Sequence, residues 1–299
     1  MVWLIGKGKL VMITIKDLPQ KDLFGPGNAG CRGCGAAIAG RQAMKVLGSR
    51  TIITMPASCM ATLSGLNQRT AWNIPFYHTL FEIAPAVSAG IRASLDAQGI
   101  KDVNVVSWAG DAGTADIGFQ SLSGAAERND AIIHVCYDNE MYMNTGGQTG
   151  SQTPLYAMTS NQQKGKGTIK KNMLSIMVAH GAGYVASASI SHPQDLMEKF
   201  KKAAARDGFS YIHILAPCYR GWNIPTDQSV ATARKAVESG FWELFEVEDG
   251  KKTRTHRPSF IPVSEYLLSQ GRFKNLSAEQ IRVIQNDIDR HFGRKEQGG

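Results

Sequence analysis

No apolar run in this 299-residue chain reaches the about 18 residues that a membrane-spanning helix needs, so a membrane is not an expected partner. The opening stretch "MVWLIGKGKLVM" is apolar, yet too short and too interrupted by lysine for a signal h-region. Met12 offers an alternative start, and the chain reads as cytoplasmic. Charge is scarce as well. Only 19% of residues are Asp, Glu, Lys or Arg against 43% hydrophobic, which excludes a disordered chain and suggests surface hidden against other subunits. The net charge of +8 comes without a basic arm. Its densest runs, "KGKGTIKK" (164–171) and "KKTRTHR" (251–257), read as solvated loops or steering surfaces, so nucleic acid is not an expected partner either. Cysteines number five, an odd count with no secretory signal, which argues against a disulfide framework. Internal repeats and low-complexity tracts are also missing.

What is present alternates short β-branched runs with longer amphipathic stretches, the pattern of a mostly parallel α/β sheet with helices on both faces. Strands are expected at 51–56, 103–108, 131–137, 184–189 and 211–216. Helices are expected at about 36–47, 84–98, 117–127, 172–181, 193–206 and 228–240. Segment 138–171 is polar, glycine-dotted and without periodicity, and a loop of that length in a compact domain is usually functional. After residue 245 the composition turns charged and turn-rich, so 1–245 reads as the main domain and 246–299 as an extension for subunit contact. A last helix should open at "SAEQ", where Ser277 and Gln280 have capping-box spacing.

Ligands of open parallel sheets sit outside the carboxyl ends of the strands. Those ends carry "ASCM" with Cys59, "AGDAGTADIG", "DNEMYMNTGGQ" and "PCYRGW" with Cys218, while "CRGC" (31–34) opens the first helix. Cys31, Cys34, Cys59 and Cys218 would therefore converge on one edge. Four thiolates suit structural zinc or a [4Fe–4S] cluster, and one pair joined by two distant cysteines fits a cluster set into a finished fold better. The competing reading makes "CRGC" a redox pair and Cys59 and Cys218 core thiols. Cys136, inside an apolar strand, reads as a small core hydrophobe. "GDAG" (110–113) and "DN" (138–139) supply an aspartate and an amide at successive strand ends, a donor pair for Mg²⁺ on a diphosphate. A helix beginning near Asp116 to Gly118 would favour the anion. Met55, Met60, Met141 and Met143 read as packing, and His78 as a structural histidine.

"GDAGTADIG…YDNEMYMNTGGQ" resembles the thiamine diphosphate motif, which starts Gly-Asp-Gly and ends at an asparagine. With "CRGCG", "ASCM" and "APCYRGW" added, the chain from about Gly25 to Trp222 resembles the β subunits of 2-oxoacid:ferredoxin oxidoreductases, particularly those acting on pyruvate. The resemblance implies a thiamine diphosphate-binding fold and oxidative decarboxylation of a 2-oxoacid, with electrons passing singly to ferredoxin. Pyruvate is the expected substrate, with oxalate or another 2-oxoacid as alternatives and coenzyme A as acyl acceptor. By the same resemblance Cys31, Cys34, Cys59 and Cys218 hold a [4Fe–4S] cluster, and Asp111, Asn139 and the Met141 carbonyl hold Mg²⁺. Gly110, Asp111, Ala112, Gly113, Asp138, Asn139 and Cys59 line the cofactor, and Asn144 and Thr145 lie near the substrate carbon.

Ala112 departs from the family's third-position glycine, and no acidic residue follows "CRGCG" where some relatives have one. No glutamate placed to activate the thiamine is found, nor a ferredoxin-type cysteine run. Partner subunits should supply that glutamate and the further Fe–S clusters, leaving this subunit inactive alone. Two other functions fit the same motifs: a cluster-free thiamine-dependent decarboxylase or carboligase, and a zinc-stabilised non-catalytic subunit.

Overall fold

The computed structural model describes residues 19, 21–65 and 70–294. Met12 and the apolar opening stretch lie outside the described residues. In chain order the elements begin with α1 (Gly35–Leu47), β1 (Thr51–Pro56), α2 (Cys59–Ser64), β2 (Phe76–Thr79) and α3 (Ala84–Ala97). Next come β3 (Asn104–Gly110), α4 (Asp111–Ala115), α5 (Phe119–Glu127), β4 (Ile133–Asp138) and α6 (Met173–Ala179). β5 (Tyr184–Ser189), α7 (Pro193–Ala204), β6 (Ser210–Leu215), α8 (Tyr219–Trp222) and α9 (Ser229–Glu238) follow. The chain closes with β7 (Phe245–Glu248), β8 (Lys251–Arg254), α10 (Val263–Leu267), a 3₁₀ turn (Gly271–Phe273) and α11 (Ala278–His291).

The eight strands form one sheet in the order β2-β1-β3-β4-β6-β5-β7-β8. The first six are parallel, and β7 and β8 run antiparallel at the edge. β3, β4 and β6 are buried almost throughout because both faces are covered. Ile133, Val135 and Tyr137 of β4 enter one core while Cys136 between them enters the other, as the two-residue repeat of a strand requires. Cys136 is a buried core side chain, turned away from the face that holds Tyr137. On α7, Leu196, Met197, Phe200 and Ala203 recur at helical spacing and are buried against the sheet, while Lys201 and Lys202 fall in the last turn, where cations are favoured.

The expected strands and helices form with shifts of a few residues, and the Ser277–Gln280 capping box is present at α11. The short elements β2, β7, β8, α2, α4, α8, α10 and the 3₁₀ turn were not expected. β2 is a four-residue, partly exposed edge strand, too short to give a period. α4 begins at Asp111 itself, so the turn after β3 is already helical and α5 starts only at Phe119. Gly118 allows that break, since a Cβ there would fall 1.8 Å from the Gly113 carbonyl oxygen. The boundary after residue 245 falls inside the β5–β7–β8 ladder: the charged composition there belongs to β7 and the exposed edge strand β8 of the same sheet.

Segment 139–172 holds no helix or strand, only the isolated bridges Tyr142–Gln148 and Thr159–Gln162. Its order has a side-chain source. Lys166 is buried and donates to the carbonyls of Gly150, Ser151 and Thr153 at 3.1, 3.1 and 2.7 Å. The chain is wrapped around one ammonium group. Among the described residues, no helix is long and apolar enough to cross a membrane.

Candidate functional site

The parallel register carries β1, β3, β4 and β6 to a common edge, and the sequence-nominated residues follow one another there. Gly110 pairs with Tyr137 across β3 and β4, so Asp111 and Asp138 leave adjacent strands side by side, with Asn139 next. Cys59 starts α2 three residues beyond β1, and Cys218 caps α8 just beyond β6. The Tyr137 hydroxyl accepts from the Met60 amide at 3.1 Å and ties the start of α2 to the end of β4.

The glycines of "CRGCG" are close-approach glycines. A Cβ on Gly35 would lie 2.5 Å from the Ala216 carbonyl carbon, and one on Gly33 (φ +70°) 1.8 Å from the Thr226 carbonyl oxygen. The Gly35 amide instead donates to the Pro217 carbonyl at 3.1 Å, which docks the start of α1 beside Cys218. Cys31 is exposed, and Cys34, Cys59 and Cys218 are half-buried. Burial, and then the neighbouring Cys218, pushes the Cys59 thiol up to about 12; Cys34, Cys31 and Asp111 add to it. Cys34 is also raised, first by burial and further by Cys218 and Cys31, and Cys218 by burial and then Cys31. All four sulfurs thus feel one another. Their thiolates need a cation, and a raised Cys34 lacks the low pKa that a redox Cys-x-x-Cys nucleophile uses.

Asp111 is 5% exposed. Its Oδ1 accepts from the Ala112 amide at 2.9 Å, while its buried Oδ2 has no hydrogen-bond partner. Burial, then the negative charge of Asp138, pushes its carboxyl well above the usual range. Asn139 is also buried; its Oδ1 lies 3.3 Å from the Met141 amide and its carbonyl accepts from Trp222 Nε1 at 2.8 Å. The Met141 carbonyl accepts from the Met143 amide. Gly110 fits under the Tyr137 ring and Gly113 against Pro56, each with a would-be Cβ contact of 3.2 Å, and Ala112 is accommodated beside them in the first turn of α4. Asn144 and Thr145 are exposed at the tip of the loop closed by Tyr142 and Gln148. Thr62 of α2 donates to Asn144 Oδ1 at 3.3 Å, which brings that tip over the helix that begins at Cys59.

A buried charge network behind these groups ties Asp138 and Glu140 of "DNEMYMNTGGQ" to Lys170, His213 and Arg272, which lie outside the motifs. Asp138 accepts from Lys170 at 2.6 Å, His213 Nε2 at 2.9 Å and the Glu140 amide at 2.8 Å. Burial alone would raise its carboxyl, but Lys170 and His213 outweigh that and hold it below the usual range. Glu140, in the left-handed region at φ +65°, is buried and pairs with Lys170 at 2.9 Å and Arg272 at 2.6 Å. The Arg272 guanidinium lies 3.8 Å from the centre of the Trp222 ring. Residues far apart in the chain thereby fix the course of 138–141. The polar character of 138–171 signals Asp138, Glu140 and Lys170, while nothing in the sequence marks His213 or Arg272. His78 lies on the edge strand β2 and takes no part in this network.

Residues 53–214 match the family "Thiamine pyrophosphate enzyme, C-terminal TPP binding domain". Pyruvate synthase subunit PorB of Methanothermobacter thermautotrophicus is 48% identical over 278 residues, covering 91% of this chain and 96% of that one. Ketoisovalerate oxidoreductase subunit VorB of Pyrococcus abyssi is 42% identical over 281 residues, 90% of each chain. Among solved structures, 2-oxoglutarate:ferredoxin oxidoreductase from Magnetococcus marinus aligns with a TM-score of 0.60 at 21% identity, covering 95% of this chain and 92% of that one, a likeness of fold. Matched along nearly its whole length by such subunits, the chain belongs to the β subunits of the 2-oxoacid:ferredoxin oxidoreductases, oxidoreductases built here on a thiamine pyrophosphate-binding α/β domain.

Proposed function

We propose that this subunit carries the thiamine diphosphate, Mg²⁺ and a [4Fe–4S] cluster of an enzyme that oxidatively decarboxylates pyruvate, with coenzyme A as acyl acceptor and ferredoxin as electron acceptor. The observation that carries the reading is Asp111 Oδ2, a buried carboxylate oxygen without a partner, at the strand end next to the one that leads into Asn139 and near enough to Cys59 for its charge to act on that thiol. A hard cation satisfies that oxygen. The sulfur set fits a cluster better than zinc: thiolates on one zinc stand about 3.8 Å apart, and no three of these sulfurs lie within 4.8 Å of one another among the described residues. When bound, the thiamine supplies an electron sink for decarboxylation, Mg²⁺ neutralises its diphosphate, and a cysteine-ligated cluster supplies a low-potential one-electron acceptor.

The chain's own residues have distinct tasks in this scheme. Asp111, Asn139 and the Met141 carbonyl hold the cation, and Gly110, Ala112 and Gly113 let backbone approach the phosphates. Cys59 serves both sets, as a cluster ligand at the start of the helix that faces the cofactor. Asn144 and Thr145 would lie near the substrate carbon and orient it. Glu140 is fully engaged by Lys170 and Arg272, so a partner subunit supplies the activating glutamate, and others carry electrons onward. Part of the partner contact falls to residues 246–299. Pyruvate is favoured because the relatives at 48% identity are named pyruvate synthase subunits; the branched 2-oxoacid of the VorB name is the nearest alternative.

The test is the complex purified without oxygen, assayed for ferredoxin or viologen reduction across a panel of 2-oxoacids with and without coenzyme A. The expected result is coenzyme A-dependent reduction with pyruvate, about four irons per chain, and loss of cluster iron in Cys59→Ser. An active, thiamine-loaded complex free of iron would refute the cluster assignment.

A further inference from the structure

A second cluster of ligating groups lies apart from the site above. His192 caps the start of α7, Glu238 ends α9, and His256 follows β8. One ligand atom from each falls within 4.8 Å of the other two. His256 Nε2 is 2.9 Å and His192 Nε2 3.8 Å from the same oxygen, Glu238 Oε1, and the two imidazole centres are 4.6 Å apart. Gly33, within "CRGC", packs against Thr226 and Ser229 at the opposite end of α9. Glu238 is about 13 Å away along the axis of that helix, at 1.5 Å per residue.

Hydrogen bonding accounts for only part of this convergence. His256 and Glu238 make one good bond, but His192 Nε2 stands too far from Oε1 for a second and is aimed at the same point. The other polar atoms of His192 and Glu238 are held in place. Ser191 Oγ pairs with His192 Nδ1 at 2.9 Å, and Glu238 Oε2 accepts from the Ser259 amide and hydroxyl at 2.9 and 2.7 Å. Such outer partners are what orient metal ligands. Charged groups around His192 are of both signs. Arg234 opposes a cation here and Asp195 favours one.

We propose that His192, Glu238 and His256 bind a divalent zinc-type cation, with solvent as fourth ligand, pinning the chain after β8 to the ends of α7 and α9. Two imidazoles and a carboxylate suit Zn²⁺ rather than Mg²⁺ or Ca²⁺. Tetrahedral ligands at 2.0–2.1 Å stand about 3.3 Å apart, between the 2.9 and 3.8 Å found here. Side-chain exposures of 17, 22 and 30% leave room for the solvent ligand.

The test is equilibrium dialysis of the complete, iron-loaded complex against micromolar zinc chloride, with zinc and iron counted together. The wild type should take up one zinc per chain at unchanged iron. His192→Gln and His256→Gln, which keep a hydrogen-bonding side chain, should lose it at unchanged iron, and Ser259→Ala should bind about 10-fold more weakly. Zinc should raise the unfolding midpoint of the wild type and of neither glutamine variant. No uptake by the wild type, or equal uptake by all the proteins, would overturn the proposal, and iron content identifies any variant that has simply misfolded.

Discussion

Two aspartates leave adjacent strands side by side, Asp111 after β3 and Asp138 at the end of β4, and both are almost completely buried. Around Asp138 the chain supplies Lys170, His213 and the Glu140 amide, and both oxygens are satisfied. Around Asp111 it supplies one amide and leaves Oδ2 bare. Their carboxyl pKa values accordingly move in opposite directions, Asp111 upward and Asp138 downward. Residue type and burial are the same in both places; the difference is whether the fold brings its own cation. A carboxylate that the chain satisfies is scaffold, and one that it leaves unsatisfied is directed at a ligand.

The sharpest way to break the scaffold half is to remove the cation that anchors it from the C-terminal segment. Arg272→Met keeps an unbranched side chain but removes the guanidinium over Trp222 and leaves Glu140 buried with Lys170 as its one cationic partner. Stripping one partner from a buried pair costs about 3–5 kcal/mol. Denaturant unfolding of the purified complex should show a loss in that range. A change below about 1 kcal/mol would mean that Lys170 alone holds Glu140, and the network would not be the support described here.

Asp111→Asn attacks the ligand half and should behave in reverse. If Asp111 ligates Mg²⁺ as proposed, an interaction worth several kcal/mol is lost, so 2-oxoacid-dependent viologen reduction should fall about 100- to 1,000-fold, with thiamine and Mg²⁺ lost and any cluster iron kept. Stability without cofactor should rise. A carboxyl raised in the folded state holds more protons there than when unfolded, so its contribution falls as pH rises above the ordinary carboxylate value near 4. At neutral pH the aspartate is therefore a penalty that asparagine removes, and the advantage should vanish below about pH 4. Asp138 runs the other way: its depressed carboxyl stabilises above the usual range and loses that contribution as acid protonates it. Parallel pH profiles for wild type and Asp111→Asn, measured with chelator present, would erase the contrast.

These two halves were unequally legible in the sequence. Asp111, Asn139 and the four cysteines could be placed because each sits within four residues of a strand or helix end, and apolar runs announce those ends. The parallel register then does the assembling. Lys170, His213, Glu140 and Arg272 escaped because their partners lie far away in the chain, and a buried lysine is written with the same letter as a solvated one. The stretch "KGKGTIKK" illustrates this: it reads as a solvated loop, yet Lys166 within it is buried under three carbonyls and Lys170 is bound to two buried carboxylates. β2 and α4 were missed for a plainer reason, having four and five residues and no room for a period.

The smallest of these effects lies where the two halves meet. Trp222 has one face under the Arg272 guanidinium and one donor, Nε1, on the carbonyl of Asn139. It belongs to the scaffold by its ring and to the ligand set by its hydrogen bond. Trp222→Phe keeps an aromatic face for the guanidinium and deletes the donor, leaving a buried carbonyl short of one partner. The expected cost is about 1 kcal/mol in unfolding, with a modest rise in the Mg²⁺ concentration needed for half-maximal activity and no change in iron. If the bond serves only the scaffold, stability drops and the Mg²⁺ requirement stays where it was. Titrating Mg²⁺ in that one variant therefore tells whether the charge network merely holds residues 138–141 in the core or also aims Asn139 at its cation.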